Sequence, residues 1–184
     1  MHKHKLIAIV GLAGAGKTEV SRFFELAGFV KIRFGDLTQE YLQQNNLEVN
    51  EHNEKNAREF LRRKHGMAAY AKLNLGNIQK HLEVNNVVID GLYSWEEYRF
   101  LKHYFGEQLH LLAIYVSPEL RHIRLNTRHL RPLDKEEAES RDIAEIEHLN
   151  KAGPIAYADY MIINTTTIID LREKVHEYIK SIIK

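Results

Sequence analysis

A glycine-rich segment near the start of the chain, GLAGAGKT at residues 11–18, sets the strongest limit on how this sequence can fold. The apolar run Leu6–Val10 precedes it, and apolar residues at helical spacing follow it over residues 19–27. A strand, a glycine loop and a helix in this order are the context of a P-loop. Glycines let the backbone turn tightly and direct its N–H groups at an anion, and the helix start adds the positive end of its dipole. The segment therefore predicts binding of a nucleoside triphosphate.

Within this loop each position has an expected role. We expect Lys17 to reach the β- and γ-phosphates of ATP, and the Thr18 hydroxyl to hold Mg²⁺. The other residues expected to bind the nucleotide are Gly11, Gly14, Ala15 and Gly16. The alternative is a glycine-rich turn without a chemical role, but the flanking strand and helix favour the nucleotide site.

Composition excludes several other classes of function. The chain has 184 residues, which predicts one domain, and its net charge of +1 gives no basic surface for a nucleic acid backbone. It contains no cysteine, which excludes disulfides, thiolate metal sites and cysteine nucleophiles. It also lacks an apolar run as long as a membrane span. We therefore expect a cytoplasmic monomer or homodimer that binds small molecules, without a membrane or nucleic acid partner.

An acidic residue follows the second predicted strand, residues 29–34. Asp36 lies at the carboxyl end of this strand and at the start of the next helix. In an open α/β sheet, ligands bind along that edge, so Asp36 is a candidate catalytic and acceptor-binding residue. The alternative is that Asp36 only caps the helix, since aspartate is favoured at that position.

A second acidic residue ends the third predicted strand, in the sequence Val87-Val88-Ile89-Asp90-Gly91. Asp90 lies at the same sheet edge as the P-loop, where an aspartate can hold the metal ion through water or contact the acceptor. We take Asp90 and Gly91 as candidate acceptor-binding residues and Asp90 as a candidate metal ligand. The alternative is a turn-forming Asp-Gly pair.

Arginine residues mark two further segments. Arg58 and Arg62 share one helix face in the polar segment 38–64, and guanidinium groups suit a phosphate or a carboxylate, although a solvated charged helix is the alternative. A basic helix after Pro118 leads into the charged segment 128–142, which is typical of a mobile flap. Gly153 and Pro154 predict the end of the helix that follows this flap.

Five strands alternate with helices, which predicts an α/β fold with a parallel sheet. With the P-loop, the motifs FGDL, VVIDG, RHLRPLD…RD and ADYMIIN resemble the nucleoside monophosphate kinase group of P-loop proteins. Within that group the chain is similar to a poorly characterised nucleotide-kinase-like family related to adenylate, cytidylate and dephospho-CoA kinases. The likeness spans nearly the whole chain.

The resemblance implies a P-loop NTPase fold with strand order 2-3-1-4-5, ATP as phosphoryl donor and Mg²⁺ as cofactor. It implies a single kinase domain over residues 1–184, with acceptor-binding helices at about 37–66 and a lid at about 128–142. Arg128, Arg131 and Arg141 of the lid would close on the transferred phosphate. The segment 158–164, which ends at Asn164, would flank the adenine.

These expectations combine into a function. We expect an ATP-dependent small-molecule kinase whose acceptor is nucleotide-type, with a nucleoside monophosphate favoured. A hydroxyl acceptor, as in dephospho-CoA kinase, stays open, and Asp36 would then orient that hydroxyl or accept its proton. A nucleotide-dependent regulatory NTPase without kinase activity is a further alternative.

Overall fold

The computed structural model describes residues 4–129 and 132–183. Within these residues the strands form a five-stranded parallel sheet of order β2-β3-β1-β4-β5, which confirms the order implied by the resemblance. The strands are β1 (Leu6–Val10), β2 (Val30–Arg33), β3 (Val87–Asp90), β4 (Leu109–Tyr115) and β5 (Tyr160–Ile163). The carboxyl ends of β1 and β3 are neighbours, and this arrangement brings Asp90 beside the glycine loop.

Helices connect the strands and cover both faces of the sheet. They are α1 (Lys17–Leu26), α2 (Asp36–Gln44), α3 (Glu51–His65), α4 (Ala69–Leu82), α5 (Trp95–Phe105), α6 (Pro118–Thr127), α7 (Lys135–Ile143), α8 (Ala152–Ala156) and α9 (Ile168–Ile183). A short 3₁₀ turn, Gly106–Gln108, precedes β4, and the π-helical segment Ala144–His148 continues α7. No helix in the described part of the chain is long and apolar enough to cross a membrane.

The apolar residues of the strands explain why the sheet lies between two helical layers. Every residue of β1 is buried, as expected for a parallel strand that is covered on both faces. One core cluster joins the sheet to α4 and α5 through residues such as Ile78 and Leu101. The other joins the opposite face to α1 and α9 through Phe24 and Val175. The helical layers therefore keep the sheet rigid, and the loops at the carboxyl ends of its strands are fixed relative to one another.

One boundary expected from the sequence is wrong. Gly153 and Pro154 were expected to end the helix after the flap, but they lie inside the short helix α8, and the preceding helical run has already ended near His148. Proline is tolerated there because the first turn of a helix leaves its N–H groups unbonded. The N-cap alternative for Asp36 is also wrong, because Gly35 takes that position and Asp36 is the first residue of α2.

Replacing Leu101 by alanine tests the packing of α5 on the sheet. Leu101 is fully buried, so the cavity left by Leu101→Ala should lower the free energy of unfolding by about 2–5 kcal/mol. Urea denaturation followed by circular dichroism measures this loss. The matched control is Leu26→Ala, because Leu26 is 73% exposed and its removal should change stability by less than about 0.5 kcal/mol. Equal losses in the two variants would contradict the packing described above.

Candidate active site

The glycine loop has the geometry that phosphate binding requires. Gly14 and Gly16 adopt φ angles of 79° and 93°, in the left-handed region that favours glycine. A Cβ atom on Gly14 would lie 2.8 Å from the carbonyl oxygen of Arg121, and one on Gly16 would lie 2.6 Å from Nδ2 of Asn164. Gly16 is the N-cap residue of α1. The loop therefore leads straight into the helix start, where backbone N–H groups and the helix dipole favour an anion.

Lys17 is the first residue of α1 and folds back over the loop. Its Nζ donates to the carbonyl oxygen of Leu12 at 3.0 Å. Burial, assisted by the charge of Lys151, lowers the pKa of the Lys17 ammonium to about 8, while the charges of Glu145 and Asp90 oppose this shift. The ammonium group thus lies in a crowded ionic environment on the phosphate side of the loop.

The candidate magnesium ligands lie at the start of α1 and the end of β3. Asp90 is buried, and the Ser21 hydroxyl lies 3.1 Å from its Oδ2 and 2.9 Å from the carbonyl oxygen of Thr18. The described residues contain no group of three histidine or acidic side chains that could hold a metal ion by themselves. A hydroxyl and a carboxylate fit Mg²⁺ that keeps most of its ligands as water and phosphate oxygens. Metal binding by Thr18 and Asp90 stays a prediction.

Asn164 lies directly beneath the loop. Its side chain is buried, and Nδ2 donates to the carbonyl oxygen of Ala15 at 2.9 Å. Its own carbonyl oxygen accepts a hydrogen bond from Arg124 at 3.0 Å. Asn164 therefore positions the P-loop from the end of β5, and its contact with adenine stays a prediction.

Arg121 of α6 ties the loop to the lid. Nη1 and Nη2 donate to the two carboxylate oxygens of Asp142 at 2.6 and 2.7 Å, and Nη1 also donates to the carbonyl oxygen of Ala13 at 3.1 Å. Burial alone would raise the pKa of Asp142, but hydrogen bonds from Arg121 and His122 outweigh it and hold that pKa below its usual range. Arg121 is buried, so this planar, bidentate pair fixes one end of α7 beside the P-loop.

The lid also has a small apolar contact with the loop. Ala138 of α7 is fully buried and packs with Ala13 and Leu125, and Leu133 packs against this cluster. Arg141 lies with Nε 3.5 Å from Oε1 of Glu145.

The other two arginines of the predicted lid are Arg128 and Arg131. Arg128 follows the last residue of α6. Arg131 lies outside the described residues. The roles of Arg128, Arg131 and Arg141 in transfer stay predictions.

On the acceptor side, α2 and α3 carry the predicted residues in different surroundings. Asp36 is half exposed, and Arg33 lies 3.5 Å from its Oδ1. Arg58 lies 3.5 Å from Glu54 one helical turn away. Gly91 adopts a φ of 95°. A Cβ atom on Gly91 would lie 2.8 Å from the hydroxyl oxygen of Tyr93, so this position has no room for a larger residue. Their contacts with an acceptor stay predictions.

Arg62 points inward from α3. Its Cζ lies 5.5 Å from the ring centroid of Tyr70, a cation–π contact, and the Tyr70 hydroxyl lies 2.7 Å from the hydroxyl of Thr38. The Nε of Arg62 is buried and has no hydrogen-bond partner among the described residues. A buried donor without a partner costs about 1–3 kcal/mol, so it marks a place where a ligand can supply the acceptor.

Glu97 of α5 is a second buried group with a missing partner. Its Oε2 accepts from the Tyr93 N–H at 2.7 Å, whereas Oε1 is buried without a hydrogen-bond partner among the described residues. Burial raises the pKa of Glu97 to about 7, and the Tyr93 N–H and the charges of Arg62 and Lys151 oppose that rise. Glu97 and Arg62 therefore provide a buried acceptor atom and a buried donor atom without hydrogen-bond partners among the described residues.

The sequence analysis missed Glu97, Glu145 and Lys151. Glu97 has a visible signal, because Ser94-Trp95-Glu96-Glu97 matches a capping box, but that pattern indicates only a helix start. Glu145 has a weaker one, since it follows Arg141 at the i,i+4 spacing of a helical ion pair. Lys151 has no sequence signal at all. It reaches the site because the turn after the π-helical segment directs it inward.

Comparison with known proteins identifies the family. A family profile described as "AAA domain" matches residues 7–145. The UPF0200 protein of Thermococcus onnurineus is 31% identical over 182 residues, which cover 97% of this chain and 98% of the relative. The UPF0200 protein of Thermococcus gammatolerans is 32% identical over 183 residues, which cover 97% of this chain and 96% of the relative. The chain belongs to the UPF0200 family.

Solved structures share the fold of this UPF0200 chain at low sequence identity. TT1252 from Thermus thermophilus has a TM-score of 0.67 and 18% identity, with 98% of this chain and 99% of that chain covered. The shikimate kinase of Bacteroides thetaiotaomicron has a TM-score of 0.62 and 18% identity, with 96% and 98% covered. A gluconokinase from Sinorhizobium meliloti has a TM-score of 0.58 and 13% sequence identity, with 95% of this chain and 91% of that chain covered. The UPF0200 chain therefore has the P-loop kinase fold.

The buried carboxyl of Glu97 predicts a pH-dependent stability. Its pKa is near 4.5 in the unfolded chain and about 7 in the folded one. The protonated form therefore contributes stability below pH 4.5 that is lost as the pH rises through 7. Glu97→Gln keeps the acceptor for Tyr93 but cannot titrate. The difference in free energy of unfolding, wild type minus variant, should fall by about 2–3 kcal/mol between pH 5 and pH 8.

Urea denaturation at a series of pH values measures this difference, and comparison with the variant cancels the titration of other groups. Glu107→Gln is the matched control, because Glu107 is exposed beyond the end of the same helix. A difference between wild type and Glu97→Gln that stays constant with pH would contradict the shifted pKa.

Proposed function

We propose that the protein is an ATP-dependent kinase that transfers the γ-phosphoryl group to a nucleotide-type small molecule, a nucleoside monophosphate. Shikimate kinase and gluconokinase share the fold, which supports a phosphotransferase that acts on a small molecule. The P-loop supplies the site for ATP, and Thr18 and Asp90 are the residues that would hold Mg²⁺ beside it.

One observation carries this proposal: a continuous series of contacts links the P-loop to the buried, unpaired groups on the acceptor side. Lys151 lies with Nζ 5.4 Å from the ring centroid of Tyr93. The Tyr93 and Tyr70 rings are 5.6 Å apart in an edge-to-face arrangement, and Arg62 lies over Tyr70. These contacts support an acceptor site that adjoins the P-loop.

The chemistry of the open groups supports a nucleoside monophosphate. The Nε of Arg62 needs an anionic oxygen, and Oε1 of Glu97 needs an N–H or O–H donor. A nucleoside monophosphate offers both, since its phosphate is an anion and its sugar and base carry donors. The lid arginines add positive charge at the transferred group.

The reaction needs positioning and charge stabilisation more than covalent help from the protein. The bond from the γ-phosphorus to the β–γ bridging oxygen breaks, a bond to an oxygen of the acceptor phosphate forms, and ADP leaves. An ionised acceptor phosphate releases no proton, so no general base is required. Lys17, with the P-loop N–H groups, would hold the phosphates in place for this transfer.

A hydroxyl acceptor, as in dephospho-CoA, is the second candidate. The observation that favours it is the Glu97 carboxyl, whose burial raises its pKa to about 7, in the range suited to a general base. A coupled ADP-release assay tests the two acceptor classes against each other, with nucleoside monophosphates, deoxynucleotides and dephospho-CoA offered in turn. Release stimulated by a nucleoside monophosphate supports the first candidate, and release stimulated only by dephospho-CoA supports the second.

Replacing Lys17 by alanine should abolish ATP-dependent chemistry without unfolding the chain. Loss of this charge should lower turnover by roughly 10²-fold or more. In the wild type, ATP with Mg²⁺ should stabilise the fold by about 2.7 kcal/mol at a hundredfold excess over Kd, and the variant should lose most of this stabilisation.

Thermal melts with and without ATP measure the effect, and circular dichroism checks that the variant is folded. Lys80→Ala, on the exposed surface of α4, is the control and should behave as the wild type. Normal turnover and a normal ATP shift in Lys17→Ala would remove the P-loop assignment.

Replacing Arg62 by alanine should affect the acceptor without affecting ATP. Arg62→Ala should raise the acceptor KM by roughly 10- to 100-fold while leaving the KM for ATP nearly unchanged, because a charged hydrogen bond to the acceptor is lost. Arg63→Ala is the matched control, since Arg63 is its exposed neighbour on α3. Steady-state kinetics, with ATP and the acceptor varied in turn, measures the two KM values.

Asp36→Asn completes this comparison. For a phosphate acceptor, turnover should fall little, because no proton is removed. For a hydroxyl acceptor that uses Asp36 as its base, turnover should fall by roughly 10²-fold, whereas with Glu97 as the base that fall should appear in Glu97→Gln instead. A large fall in Asp36→Asn with a normal acceptor KM in Arg62→Ala would overturn the phosphate-acceptor proposal.

A further inference from the structure

A buried carboxylate lies against the phosphate-binding loop. Oε2 of Glu145 accepts a hydrogen bond from the N–H of Ala13 at 3.1 Å and another from Nζ of Lys151 at 2.8 Å. Its other oxygen, Oε1, lies 3.5 Å from Nε of Arg141. Glu145 and Lys151 are 7% and 1% exposed, so water contributes little to this arrangement. Donors from the P-loop, the lid and the N-cap of α8 therefore converge on one anion.

The charges around this anion are those that a phosphoryl group requires. Burial would raise the pKa of Glu145, but the positive charges of Lys151 and Lys17 outweigh it, so the carboxylate is ionised. Burial and Lys151 in turn lower the pKa of Lys17, so the two ammonium groups are close enough to repel. Lys17, Lys151 and Arg141 bring three positive charges to this region against the two carboxylates of Glu145 and Asp90, so one further anion would balance the set.

The hydrogen-bond donors to Oε2 of Glu145 indicate which ligand group could take the place of this carboxylate. The Ala13 N–H belongs to the loop whose N–H groups point at nucleotide phosphates, and it meets Lys151 on a single oxygen atom. Carboxylate and phosphate oxygens accept the same charge-assisted hydrogen bonds from N–H groups, ammonium and guanidinium. A terminal phosphate oxygen at this position would therefore receive the same donors as Oε2.

We propose that Lys151 binds the γ-phosphoryl group of the nucleotide, and that Glu145 occupies the place of that group until a nucleoside triphosphate displaces it. The inference rests on the proposed function, because it assigns a further residue to the same site. Lys151 then neutralises charge on the transferred group beside Lys17 and Arg141. Displacement of Glu145 frees the donors of the loop and the lid together.

Nucleotide binding tests this proposal without measuring turnover. Isothermal titration with AMP-PNP and with ADP, both with Mg²⁺, gives the ratio of the two Kd values, which reports contacts made only by the γ-phosphate. Glu145→Gln removes the competing charge and should tighten AMP-PNP binding by about tenfold or more, with little change for ADP. Lys151→Met should weaken AMP-PNP by a similar factor and again leave ADP nearly unchanged.

Two matched controls lie on the same segment of chain. Glu147→Gln, two residues from Glu145, and Lys135→Met, at the start of α7, change exposed charges in the same way and should leave both Kd values as in the wild type. If Lys151→Met fails to fold, Lys151→Gln keeps a polar end group at the buried position and should weaken AMP-PNP alone in the same way. If Glu145→Gln fails to fold, Glu145→Asp shortens the side chain, draws the carboxylate away from the Ala13 N–H and should tighten AMP-PNP alone.

Equal changes for AMP-PNP and ADP in these variants, or an unchanged ratio of the two Kd values in each of them, would overturn the proposal. Its failure is distinguishable from that of the proposed function. Wild-type protein that binds AMP-PNP but phosphorylates none of the acceptors loses the kinase assignment only. Wild-type protein that binds AMP-PNP and ADP, with variants that do not alter the ratio, loses the role of Lys151 and Glu145 only.

Discussion

Buried donors around the P-loop require an anion, and this requirement organises the site. The Ala13 N–H of the loop donates to the Glu145 carboxylate, and the Lys17 ammonium lies near enough for its charge to lower the pKa of Glu145. Burying a charge without a partner is costly, so each cation here must be matched by an anion from the protein or from a ligand. Lys151 and Arg141 share the same carboxylate, which joins the predicted lid segment to the loop. Arg121 adds a second, independent connection through Asp142.

Arg62 and Glu97 form a second group of buried polar side chains, at the proposed acceptor site. They are held in place by packing on Tyr70 and by a helix cap at Tyr93, yet each keeps one polar atom without a hydrogen-bond partner among the described residues. Because a protein interior satisfies most of its polar groups, these two atoms are the reason to propose a binding site there.

The sequence predicted much of the fold because the relevant signals are local. The P-loop, the strand that ends at Asp90 and the alternation of strands and helices all depend on residues adjacent in the chain. The order of the strands followed from the resemblance and is confirmed. The boundary at Pro154 was wrong because proline fits the first turn of a short helix as well as it ends a long one. Glu145 and Lys151 could not be found, since their meeting with Ala13 depends on a turn far along the chain.

The central claim is that phosphate bound at the P-loop is transferred to a small molecule bound beside Arg62 and Glu97. The most direct measurement follows the label from [γ-³²P]ATP after incubation with the protein, Mg²⁺ and a mixture of nucleoside monophosphates. The label should appear in a nucleoside diphosphate, and this product should be lost in Lys17→Ala. Label recovered only as inorganic phosphate, with or without the acceptors, would contradict the kinase assignment and indicate a nucleotide-dependent NTPase instead.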